Sequence, residues 1–388
     1  MYSLLLAIIY LSFISLGLPD SLLGSAWPTI VRELNVPISY AGIISTIIAV
    51  GTIVSSLLSD KLTRKIGAGA VTATSVLMTG LALLGFSLSR SFILLCILAV
   101  PYGLGAGAVD AALNNYVALH YKSRHMSWLH CFWGVGASIS PYIMGYAISH
   151  GGEWRKGYGA VSVIQLVLTI AIFASLPLWK KRNNDCGDTD FSEANITFKE
   201  AIAIPGVKSV LMAFFAYCAF ETTAGLWAST YLVESRELDT VTAASYASLF
   251  YIGITAGRFA TGFIADRVSD KNMIRIGSLI TCLAVIMIAL PTDGYAAAVI
   301  GLVLAGTGAA PIYPAIIHST PQNFGKENSH AIVGIQMAFA YTGSTVMPPL
   351  MGIAAEHIGI WLYPVFLLVF AIILLSLTEW ANTVVSRA

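Results

Sequence analysis

Three carboxylates, Asp20, Asp110 and Glu221, stand inside stretches of sequence otherwise fit for the interior of a lipid bilayer. An unneutralised charge at the bilayer centre costs at least ~2.5–3.5 kcal/mol, so acids in such places are kept mainly for function. A carboxylate whose surroundings disfavour its charge can take up and release a proton near neutral pH. The chemistry to expect is proton carriage coupled to some other movement. Asp20 lies in GLPDSLLGSAWP, where Pro19 removes a backbone donor and Gly17 and Gly24 permit close helix packing. Asp110 lies in YGLGAGAVDAALNNY, with Gly103, Gly105 and Gly107 forming a smooth face before it. Asn114 follows one helical turn later, so its side chain points the same way as that of Asp110, and Asn115 is next to it. At ~1.5 Å per residue, Asp110 is about 27 Å along its helix from Phe92, and Asp20 is at a similar depth counted from the opposite face.

The elements that carry these acids are long and apolar. Of 388 residues 57% are hydrophobic and 11% charged, against about 25% charged in a soluble domain. Lipid admits only helices or closed barrels, and runs of about twenty apolar residues without alternation select helices. Breaking the chain at charges, Gly/Pro clusters and polar turns predicts twelve transmembrane helices near 2–32, 38–59, 67–88, 92–118, 127–149, 157–179, 206–233, 241–265, 273–291, 295–318, 329–355 and 359–380. With both termini on the cytoplasmic side, sixteen of the 21 Lys and Arg residues fall on that side and five outside, as the positive-inside rule requires. The polar stretch KKRNNDCGDTDFSEANITFKE predicts a cytoplasmic linker. The domains expected are an N-terminal six-helix bundle (1–180), a linker (181–204) and a C-terminal six-helix bundle (205–388).

An internal repeat supports this division. SLLSDKLTRK follows the second span and GFIADRVSDK follows the eighth, with Asp60 and Asp266 standing 206 residues apart. Parallel six-helix repeats are an architecture of transporters, and the paired loops resemble the GxxxDRxGRR signature of the major facilitator superfamily. That resemblance implies an all-α membrane protein of two six-helix bundles. Physically, an acid at a helix end held by a base from a facing helix is a latch, closed in one state and released in another. The gating candidates are Asp60, Lys61, Arg64, Asp266 and Arg267, with Arg258, two turns before Asp266, as a latch partner.

Asp20-Ser21-Leu22-Leu23 in helix 1 and Gly105-Ala106-Gly107-Ala108-Val109-Asp110-Ala111-Ala112-Leu113-Asn114 in helix 4 resemble motifs of the fucose–galactose–glucose:proton symporter family. The resemblance implies that Asp20 and Asp110 carry the coupled proton and touch a sugar. Where that family offers amides on helix 5, this chain has His130 and Trp133, a stacking ring and an imidazole that suit a pyranose. The remaining substrate-binding candidates are Asn114, Asn115 and Trp27 in the first half and Glu221, Trp227, Tyr313 and Gln336 in the second. Pro311, Pro314, Pro348 and Pro349 mark places where spans 10 and 11 are expected to break.

The function expected is secondary active transport, by a proton-coupled symporter of a sugar or sugar-like polar solute in the cell inner membrane. A proton-coupled efflux pump for amphipathic compounds is the alternative, compatible with Trp27, Trp133 and ten methionines. A membrane enzyme or sensor is disfavoured, since the sequence has no metal cluster, nucleophile motif, phosphate loop or CxxC pair among its five cysteines. No cofactor beyond the proton gradient is expected, and no metal. A net charge of +1 gives no reason to expect nucleic acid. The partners expected are the lipid bilayer and a small solute, with the chain acting as a monomer.

Overall fold

The structure, a computed structural model, describes residues 2–37, 40–150, 153–185, 196–238, 240–292 and 294–386. Among them are fifteen helices: α1 (Tyr2–Asp20), α2 (Leu22–Leu34), α3 (Ala41–Ile66), α4 (Ala68–Leu88), α5 (Phe92–His120), α6 (Ser123–Ser149), α7 (Trp154–Asp185), α8 (Phe198–Ala203), α9 (Val207–Arg236), α10 (Thr240–Ile264), α11 (Asp270–Ala289), α12 (Ala296–Ala309), α13 (Ile312–Phe324), α14 (Lys326–His357) and α15 (Leu362–Val385).

Two pairs of these helices each make one interrupted span. The first span is interrupted at Ser21, two residues after Pro19, where Ser21 Oγ donates to the Ala137 carbonyl on α6 at 2.6 Å. The tenth breaks between Ala309 and Ile312, where Pro311 supplies no backbone donor. Ten segments, counting each interrupted pair once, are long and apolar enough to cross a membrane, and the more polar α6 and α14 complete twelve. The eleventh span does not break as expected, because α14 continues through Pro348 and Pro349. The Pro348 carbonyl is occupied there by the Trp227 indole N–H at 2.9 Å.

Of the predicted linker, 186–195 lies outside the described residues; beyond it α8 opens on a reciprocal cap between Thr197 and Glu200. The chain forms two compact units: Met1–Tyr116 with Leu129–Ala194, and Val117–Trp128 with Asn195–Ala388. The turn joining α5 to α6 therefore clusters with the second unit.

The sequence repeat reappears in how each unit is packed. In the first unit a Cβ at Gly17 would strike the Trp133 carbonyl oxygen and one at Gly136 that of Ile14, so α1 and α6 touch backbone to backbone. Gly103 and Gly107 do the same for α5 against Ile48 and Thr52 of α3. In the second unit Gly343 brings α14 onto Phe215 of α9, and Gly306 brings α12 onto Phe250 of α10. Counted as spans, first meets fifth and second meets fourth in both units. Third meets sixth as well, α4 against α7 and α11 against α15. Gly24 is different: nothing lies within 4 Å of where its Cβ would be, so it is not a packing glycine.

Candidate functional site

In the first unit the break in span 1 leaves Asp20 as the last residue of α1, with its surface exposed although it sits well inside the span. Its two oxygens are held by neutral donors. Trp133 Nε1 on α6 donates to Oδ2 at 2.9 Å, and Tyr102 OH on α5 donates to Oδ1 at 3.4 Å. Asp110 is 4% exposed. Asn114 Nδ2, one turn along α5, donates to Asp110 Oδ1 at 2.8 Å and to the Asp110 carbonyl at 3.0 Å. The amide is thereby oriented, and its Oδ1 faces Nε2 of buried His130 at 2.9 Å. Phe13 meets the His130 ring edge-on, with centroids 5.3 Å apart. Asp110, Asn114 and His130 thus form a buried polar chain linking α5 to α6. Asn115 is buried beside it. Trp27 is elsewhere, in the apolar cluster with Leu22, Ile30 and Trp154.

In the second unit Glu221 on α9 meets Arg258 on α10, Nη2 to Oε1 at 3.1 Å, and the same nitrogen donates to Tyr217 OH at 3.4 Å. Arg258 is 3% exposed. This corrects its assignment as the latch partner of Asp266. Helix α10 ends at Ile264, so Asp266 stands in the turn beyond, while Glu221 is within reach of the guanidinium inside the unit. Trp227, Tyr313 and Gln336 make internal contacts. Trp227 bonds the Pro348 carbonyl, Tyr313 OH donates to Met337 Sδ at 3.3 Å, and fully buried Gln336 bonds Thr320 at 2.9 Å.

At the loop ends, Asp60 pairs with Arg64 one turn along its own helix, and Lys61 is exposed. Asp266 pairs with Arg124, and Arg267 is exposed. Next to this pair Asp270 accepts from Ser123 Oγ at 2.6 Å and contacts His318 Nδ1 at 2.6 Å, while His318 Nε2 lies 3.2 Å from the Tyr121 carbonyl. Tyr102, Arg124 and His318 are the partners that sequence reasoning missed. Tyr102 carried one usable signal, a hydroxyl in the same apolar run as Asp110. Among the described residues no group of three metal-ligating side chains converges.

A family model for the Major Facilitator Superfamily matches residues 9–335 and 209–381. The chain belongs to that superfamily. It is similar to Bypass of stop codon protein 6 of Saccharomyces cerevisiae, at 24% identity over 95% of this chain and 80% of that protein. The hexuronate transporter of Bacillus subtilis is 24% identical over 88% of this chain and 85% of its own length. The glucose/mannose transporter GlcP of the same organism is 22% identical over 72% and 70%. Among solved structures, the Escherichia coli fucose:proton symporter FucP superposes with a TM-score of 0.80 at 17% identity, covering 98% of each chain. This superfamily member is a multi-pass membrane transporter and not an enzyme, and its fold resembles that of FucP.

Proposed function

We propose that this transporter is a proton-coupled symporter of a sugar or sugar-like polar solute, working by alternating access with the proton gradient as its energy source. The observation that carries the reading is the pairing of an accessible acid, Asp20, with a buried one, Asp110, in one unit, both bonded by neutral donors. Neutral donors leave a carboxyl able to exist in both protonation states, whereas a fixed cation would hold it ionised. The amide of Asn114 and the imidazole of His130 extend Asp110 into a buried chain of hydrogen-bonding groups, chemistry of the kind a polyol needs. Relatives named for hexuronate, for glucose and mannose, and for fucose and protons support the solute class. We place the chain in the cell inner membrane as a monomer, with both termini and the α3–α4 and α10–α11 turns in the cytoplasm, where the basic residues gather.

Asp110→Asn tests the reading, because the amide copies the protonated carboxyl in size and cannot release a proton. Uptake against a gradient driven by pH should vanish in proteoliposomes, while solute exchange without net proton movement should persist. A variant that still accumulates solute as the parent does would exclude Asp110 as the coupling group.

A further inference from the structure

Arg258 is held too loosely for a purely structural ion pair. A guanidinium offers five N–H donors in a rigid fork, and a buried one recovers the cost of leaving water when the fork is filled, usually by bidentate contact with a carboxylate. Here both contacts, to Glu221 at 3.1 Å and to Tyr217 at 3.4 Å, fall on the single nitrogen Nη2. Nε is buried with no hydrogen-bond partner. Elsewhere in the same unit the chain does fill such a fork: Arg275 uses Nε and Nη2 on the two oxygens of Glu379, at 2.7 and 2.5 Å. The Glu221 side chain is also the more accessible member of the pair, 18% against 4% for Arg258. The guanidinium is therefore reached past its acid, beside the half-buried ring of Tyr313, whose centroid lies 5.8 Å from that of Tyr217.

We propose that Arg258 is the receptor for the carboxylate of a solute, and that Glu221 is a resident stand-in which yields when that solute arrives. The reading rests on the transport function proposed above and narrows its substrate to a sugar acid, a polyhydroxy ring or chain bearing one carboxylate. Charge balance favours a single negative charge. Glu221 and Arg258 together are neutral, so a monoanion seated on the guanidinium is balanced when the displaced Glu221 carboxylate takes one proton from the aqueous side, becoming a carboxylic acid. A phosphate dianion would leave a further charge uncompensated inside the membrane. The half-buried ring of Tyr313, packed on Phe214 and near Tyr217, is an aromatic group near that place with surface still accessible.

The experiment is equilibrium binding to purified full-length protein, with D-glucuronate, D-glucose and glucose 6-phosphate as probes. The parent protein should bind glucuronate at least about tenfold more tightly than glucose, the usual size of a charge-assisted contact. Glu221→Gln removes the resident competitor and should raise the preference for glucuronate over glucose further. Arg258→Gln combined with Glu221→Gln keeps the unit free of unpaired charge and should erase the preference, so that glucuronate and glucose bind alike. Arg258→Lys, which keeps the charge and loses the fork, should lose most of it. If the double variant keeps the preference, if Glu221→Gln weakens both probes alike, or if the phosphate ester binds best, the assignment is wrong. Glucose binding without any preference for glucuronate overturns the Arg258 assignment alone, whereas binding of neither probe by the parent overturns the sugar reading with it.

Discussion

The two units treat charge inside the membrane in opposite ways. In the first, Asp20 and Asp110 are held by an indole, a phenol and an amide, all neutral. In the second, Glu221 is held by a guanidinium. Neutral donors leave the charge of a carboxylate unbalanced, whereas a guanidinium balances it. On the functions proposed above, the same residue type serves proton carriage in one unit and recognition of a charged solute in the other.

The sharpest way to break this contrast is to remove the cation. Arg258→Ala would leave Glu221 partly buried and uncompensated, and should cost about 3 kcal/mol in unfolding followed in detergent. Asp20→Asn, which keeps an acceptor for Trp133, should cost under about 1 kcal/mol by the same assay. Equal losses would mean that the acids of the two units sit in equivalent environments.

Glycine contacts should follow next in size. Gly107→Ala drives a methyl into the Thr52 carbonyl and should cost about 1–3 kcal/mol, while Gly24→Ala, with open space before it, should stay within about 0.5 kcal/mol.

The smallest effect concerns an ion pair outside the bilayer. Glu33 accepts from Trp154 Nε1 at 2.6 Å and pairs with Arg155. Burial alone would raise its carboxyl, but the bonds from Arg155 and Trp154 outweigh that and hold it below the ordinary 4.5. A depressed folded-state value gives stability that is present above the unfolded value and is lost as pH falls through the folded one. Glu33→Gln should therefore cost no more than about 0.5 kcal/mol at pH 7 because the pair is solvent-screened, and the difference from the parent should disappear once both proteins are compared well below the ordinary carboxylate value. A difference independent of pH would show that packing of the side chain, and not its charge, is what matters there.

What could be read from sequence divides along the same physical lines. Twelve spans were legible because a run of about twenty apolar residues has few other uses. Their limits were not, since α7 runs from Trp154 to Asp185 where 157–179 was expected. Pro311 announced a real break, but Pro314 lies inside α13 and Pro348 and Pro349 inside α14, so a proline in an apolar run does not by itself say where a span is interrupted. The bond from Asn114 to Asp110 was foreseeable from their spacing on one helix. Bonds between helices were not. Trp133 and Tyr102 on Asp20, Arg124 on Asp266, and Glu221 on Arg258 depend on helix rotation, which spacing within each helix leaves open.

The glycine seams have a mechanical consequence. Where two helices meet carbonyl to Cα, no side chain lies between them to change rotamer, so the seam has almost no give. Spans one and five, and two and four, are joined this way in each unit. The break at Ser21 is fastened in a different way, by a hydroxyl that donates to the Ala137 carbonyl at 2.6 Å and lies 2.7 Å from Ser140 Oγ. The accessible acid Asp20 therefore sits between a carbonyl seam at Gly17 and a hydroxyl clasp at Ser21, both made with α6.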